Sequence, residues 1–119
     1  MKKPMATSDA SFAAGDVVVV PFPYADMLAE KRRPALVVSN AKFNSKYGLV
    51  WVAMITSAEN ATWPDDVELP LARTGLSAPS RVRPAKLATI DAARIVRKAG
   101  VMDGNTLAKV KSKVSGFLT

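Results

Sequence analysis

The chain has 119 residues, 49% of them hydrophobic, and carries 17 Lys and Arg against 10 Asp and Glu, a formal net charge of +7. That length suits one domain with a modest core, and the positive balance points to an anionic partner, nucleic acid ahead of an acidic protein. Cysteine and histidine are both absent, which excludes disulfides, thiolate nucleophiles, Cys- or His-held metals and His-dependent triads, and leaves Arg, Lys, Thr, Ser, Tyr and carboxylates to carry any chemistry.

Met1-Lys2-Lys3 has the charge of a secretory leader, but no apolar segment follows it, and no stretch is long enough to span a bilayer. A cytoplasmic protein is expected. Residues 1–14 are small, polar and aperiodic, and are read as a flexible tail; residues 15–119 are read as a single domain. Gly15-Asp16 is a turn, with Asp16 as its backbone-capping carboxylate. Val17–Val20 is a first strand ended by Pro21-Phe22-Pro23. Tyr24–Arg32 is a loop with a helical turn at Asp26–Glu30, and it closes on three consecutive cations, Lys31, Arg32 and Arg33. Pro34 opens a second strand, Ala35–Val38, and biases Arg33 toward extended backbone. Arg33 is thereby expected at the mouth of a rigid strand, a good position for a working cation.

Ala41–Gly48 connects to the third strand and places Phe43 and Tyr47 on one helical face, where core packing is expected for both. Leu49–Thr56 is apolar on both faces, as a central strand should be, and ends in the hydroxyls of Thr56 and Ser57. The loop Ala58–Pro64 carries Trp63, and Asp66–Leu69 is a short strand. Turn residues fill Pro70–Pro79. Ser80–Pro84 is a strand with Arg81 and Arg83 on the same face by the period of two, and Lys86–Asp91 continues it. Arg94–Ala99 is a short basic strand. A helix then begins at Asp103-Gly104-Asn105, capped by Asp103 or Asn105, with Leu107, Val110, Val114 and Leu118 as its apolar stripe. Several short strands and one terminal helix predict a mainly β domain, a small, mostly antiparallel barrel.

RNA brings its own nucleophile, the 2′-hydroxyl. Its cleavage needs charge on the phosphoryl oxygens to be stabilised, which suits the planar, permanently charged fork of arginine, with a threonine hydroxyl as a second donor. Sequence order alone does not single out such a pair.

GDVVVVPFP, followed at loop distance by KRRPALVVS, resembles the MazF/PemK family of toxin endoribonucleases, the toxin halves of type II toxin–antitoxin systems. The resemblance runs from about Gly15 to the C-terminus. It implies an SH3-like barrel, a homodimer, sequence-selective and cofactor-free cleavage of single-stranded RNA, and an acidic MazE-like antitoxin whose disordered tail covers the RNA groove. It also implies that Arg33, directly before the motif's proline, and Thr56, at the end of the third strand, are catalytic. Candidate RNA contacts are Lys31, Arg32, Ser57, Arg83 and Lys86, with Tyr24 and Trp63 placed to stack on unpaired bases. Arg83 matches an arginine used by some members, but the aspartate that accompanies it is Ala85 here, and the first-loop histidine of others is missing. The resemblance therefore supplies no general base. Two alternatives share the fold: a non-catalytic RNA-binding barrel, which the basic balance alone supports, and a gyrase-inhibiting toxin, which would need none of the basic loop chemistry.

Overall fold

The apolar runs become strands covered on both sides. The computed structural model describes residues 11–22 and 31–119. Its strands are β1 (Asp16–Phe22), β2 (Lys31–Val37), β3 (Leu49–Ser57), β4 (Val67–Glu68), β5 (Ser80–Asp91) and β6 (Arg97–Val101). Helix α1 (Ala41–Tyr47) joins β2 to β3, and helix α2 (Gly104–Gly116) follows β6. One antiparallel sheet runs in the order β4-β5-β3-β2-β1-β6. Val17 pairs with Leu36 and Leu36 with Ala53; this row joins Ile55, Val82 and Val110 in a core under α2. One residue along, Val18 pairs with Ala35 and Ala35 with Met54, and this row joins Val20, Val37 and Val52 in a second core on the other face. Two buried faces explain why these strands read as continuous apolar runs rather than alternating ones.

The sheet curls into a half-barrel with α2 against it. On β5, Arg83 lies opposite Met54 and Leu87 opposite Ala53, so Pro84 to Lys86 bulge out of the ladder and bend the strand. Another shift separates Val17 from Val18 against β6. The segment after β4 comes round to β6, where Val101 N–H donates to Arg73 O at 2.8 Å. Backbones meet so closely here that a Cβ on Gly100 would lie 2.2 Å from Arg73 O, and one on Gly75 would lie 2.2 Å from Ala99 O.

Proline placement differs from the expectation in a way that matters below. Pro21 and Pro34 do not bound the strands; they lie inside β1 and β2, opposite Arg32 and Val19. With no N–H to give, Pro34 fits the β1–β2 ladder only in a non-hydrogen-bonded pair, and Pro21, two residues along, falls in the same class. Neither therefore interrupts that ladder. All three cations consequently sit on β2 rather than on a loop.

Other elements also depart from expectation. Phe12, placed in the tail, packs against the second core and accepts a hydrogen bond from Asn44 Nδ2 at 2.9 Å. Asp16 caps its turn as expected, accepting from Ala13 N–H at 3.0 Å, and also pairs with Lys98 at 3.1 Å. Phe43 and Tyr47 do touch, with ring centroids 4.9 Å apart, but Tyr47 is 56% exposed and Phe43 leans on Trp51, which is itself exposed. Asn44 takes the inward position of α1 instead, fully buried and bonded to Ser39. The segment read as a strand from Arg94 begins with a 3₁₀ turn at Ala92–Arg94, and pairing starts only at Arg97. Asp103 caps α2 by accepting from Thr106 N–H at 3.0 Å. Leu118 lies beyond the last turn and is exposed. The helical turn expected at Asp26–Glu30 lies outside the described residues.

Candidate active site

Pro34 also opens the site. Because its N–H would face β3, the β2–β3 ladder stops one residue short of it, at Ala35 opposite Met54. Beyond that pair the strands part, and a cavity of about 260 Å³ lies in the gap, lined by Arg33, Pro34, Thr56, Ser57 and Asn60 among others. Continuing the register past its last pair sets Arg33 across from Thr56. Arg33 is half-buried and Thr56 buried. The two residues singled out by the resemblance thus share one cavity at the ends of adjacent strands.

The other candidates are distributed differently. Ser57 lines the same cavity and its Oγ accepts from Glu59 N–H at 3.2 Å, a local turn bond. Lys31 is exposed at the start of β2. Arg32 alternates away from Arg33 and lines a separate cleft of about 410 Å³ with Pro21, Arg94 and Val96. Tyr24 lies outside the described residues.

Arg83 is not a solvated cation. It is 6% exposed, and its Nε and Nη2 donate to the two carboxylate oxygens of Asp66 at 3.1 and 2.9 Å. Nη2 also donates to Ala61 O at 2.8 Å, and the guanidinium carbon lies 4.1 Å from the centre of the Trp63 ring. Lys86 Nζ stands 5.8 Å from the same ring. Burial pushes the Asp66 carboxyl up, but hydrogen bonds from Arg83 and Trp63 N–H, with the charges of Arg83 and Arg81, outweigh it and hold the group below its usual range.

Arg81, on the same face of β5, donates to Ala58 O at 3.1 Å and Asn60 O at 3.3 Å. The two arginines therefore clamp the backbone of the loop that follows β3. That loop returns Asn60 to the strand end, where its Nδ2 donates to Thr56 Oγ1 at 2.7 Å. Asn60, Arg81 and Asp66 were not among the expected site residues. The shared face of Arg81 and Arg83 was legible from spacing; their partners depend on the loop's path. Among the described residues, no cluster of three or more acidic side chains is placed to hold a metal ion, and no helix is long and apolar enough to cross a membrane.

Comparison with known proteins agrees with this architecture. In the solved MazE–MazF complex of Deinococcus radiodurans (Form III), one chain superposes with a TM-score of 0.74 at 29% identity, covering 91% of this chain and 96% of that one. MazF alone from the same organism (Form I) gives 0.71 at 29% identity, covering 89% and 94%. An endoribonuclease solved with its cognate antitoxin from a mycobacterial species shares the fold, with a TM-score of 0.70 at 18% identity and coverage of 91% and 93%. No curated protein matches the chain significantly in sequence. The family profile described as "PemK-like, MazF-like toxin of type II toxin-antitoxin system" matches residues 13–118, and the chain belongs to that family.

Proposed function

We propose that this chain is a metal-independent endoribonuclease that cleaves single-stranded RNA by intramolecular attack. The observation that carries the reading is the cavity shared by Arg33 and Thr56. In this mechanism the 2′-hydroxyl gives up its proton as its oxygen bonds to the adjacent phosphorus, the bond from phosphorus to the 5′-oxygen breaks, and that oxygen takes up a proton, so no net proton is gained or lost. The products are a 2′,3′-cyclic phosphate and a 5′-hydroxyl. Arg33 stabilises charge on the phosphoryl oxygens as it builds, and the Thr56 hydroxyl donates a second hydrogen bond. Lys31 and Lys86 hold the flanking phosphates, and Trp63, 41% exposed, offers a stacking face. A chain without His or Cys has few good ligands for a catalytic transition metal, which supports chemistry run by the side chains alone.

The partner we assign is an acidic antitoxin, because the net charge of +7 favours one and two of the similar structures are complexes with antitoxins. The working unit is a homodimer acting in the cytoplasm. The test is incubation of the purified protein with a long single-stranded RNA in excess chelator, followed by mapping of the new ends. Cyclic-phosphate and 5′-hydroxyl ends are expected. Binding without cleavage would favour the non-catalytic barrel, and cleavage that returns only with Mg²⁺ would refute the mechanism.

A further inference from the structure

We infer that Asn60 is a positioning residue that orients the Thr56 hydroxyl for catalysis. The inference rests on the proposed role of Thr56. A threonine hydroxyl has one hydrogen to donate and two lone pairs to accept with. Asn60 Nδ2 donates to Thr56 Oγ1 at 2.7 Å, the only hydrogen bond of that hydroxyl among the described residues. One lone pair is thereby filled by a donor. The O–H hydrogen is not spent on Asn60 and is left for another acceptor, and both residues line the cavity where the RNA phosphate would sit.

The loop is built to hold the amide there. Asn60 N–H donates to Ser57 O at 3.0 Å, closing a tight turn directly after β3. Arg81 grips Ala58 O and Asn60 O, and Arg83 grips Ala61 O while locked to Asp66. Both arginines come from β5, whose Arg81 pairs with Thr56 itself. The amide and the hydroxyl it orients thus hang from one pair of strands. A free threonine hydroxyl samples three rotamers and spends part of its time bonded to nearby backbone. Fixing its acceptor side before RNA arrives removes that reorganisation.

A double-mutant cycle tests this, with single-turnover cleavage of a long single-stranded RNA as the readout. Thr56→Val keeps the shape and removes the hydroxyl; it should slow cleavage on the order of 10²-fold. Asn60→Ala should slow the parent roughly five- to tenfold, the worth of one neutral hydrogen bond. In the Thr56→Val background, Asn60→Ala should have no further effect, because the group it orients is gone. Equal slowing in both backgrounds would overturn the inference, since Asn60 would then act on RNA or on the fold independently of Thr56. So would a parent-like Asn60→Ala beside a slow Thr56→Val. Parent-like cleavage by Thr56→Val would instead overturn the proposed role of Thr56, and the inference with it. Thermal melting of every variant separates lost orientation from lost fold, and Thr56→Ala replaces Thr56→Val in the cycle if the valine does not fold.

Discussion

Asp66→Ala should be among the most damaging single changes in the loop after β3. It would leave the Arg83 guanidinium buried, 6% exposed, without the carboxylate that takes two of its hydrogen bonds at 3.1 and 2.9 Å. Arginine cannot shed its charge, so the orphaned group must drag water in or move the loop out. Breaking one side of such a buried pair costs about 3–5 kcal/mol. In a domain of this size each kcal/mol moves the melting midpoint by about 3–5 °C, so a fall of roughly 10–25 °C is expected. Arg83→Met should behave differently with pH. In the parent the folded Asp66 lies below its unfolded value, so the pair's contribution is full above the unfolded value, near pH 4, and is lost as pH falls through the folded value. Without Arg83 the strongest of the lowering influences is gone, and the folded carboxyl lies higher than it does in the parent. The variant is then nearest the parent in acid, and its deficit grows as pH rises. Replacing both, as Asp66→Leu with Arg83→Met, should cost less than Asp66→Ala alone. Melts followed by circular dichroism at about pH 2 and at pH 7, on either side of that window, decide the matter. An Asp66→Ala midpoint within about 2 °C of the parent, or an Arg83→Met deficit equal at both pH values, would refute the reasoning.

Arg33→Lys keeps the charge but loses the planar fork; it should bind RNA nearly as the parent does and cleave it on the order of 10²–10³ more slowly, measured by single-turnover cleavage beside filter binding. Gly100→Ala would put a Cβ 2.2 Å from Arg73 O and 2.5 Å from Thr74 C, backbone atoms that cannot swing aside. It should destabilise the fold by about 1–3 kcal/mol in urea titration, while Gly104→Ala, whose Cβ would meet nothing within 4 Å, should change stability by less than about 0.5 kcal/mol.

Much of the sheet was legible because burial of both faces writes long apolar runs into β1, β2 and β3. The shared face of Arg81 and Arg83 was legible for the same elementary reason, the two-residue period. What those arginines do was not, because their acceptors include the carbonyls of Ala58, Asn60 and Ala61, whose directions follow from the loop's path and not from side-chain identity. Arg83 was expected among the phosphate contacts on charge and family position; the structure gives two of its nitrogens to Asp66 and Ala61. Asn60 left only a weak trace, an amide four residues after a strand-terminal threonine. The Phe43–Tyr47 contact followed from helical spacing, but spacing did not tell which side of α1 faces inward. Asn44 takes that side because its amide can satisfy both Phe12 O and Ser39 O.

A single proline links the sequence motif to the proposed chemistry. The residue before Pro34 is Arg33, and the ring restricts it to extended backbone, so the arginine leaves a strand rather than a loose turn. The same ring removes the N–H that would have bonded β3, so the strands separate where Arg33 and Thr56 would otherwise have been paired flat against each other. A normal residue at position 34 could let the ladder run on to Thr56 and narrow the gap. The cavity needs walls that hold still once the ladder has ended, and β5 supplies one through Arg81 and Arg83. Their clamps fix the loop that carries Asn60, while the β1–β2 ladder holds Arg33 from the other side, with Val20 as its partner. Arg33 and Thr56 are thus each held by a rigid neighbour at the edge of the cavity, which is the arrangement that the proposed electrostatic stabilisation of a transition state requires.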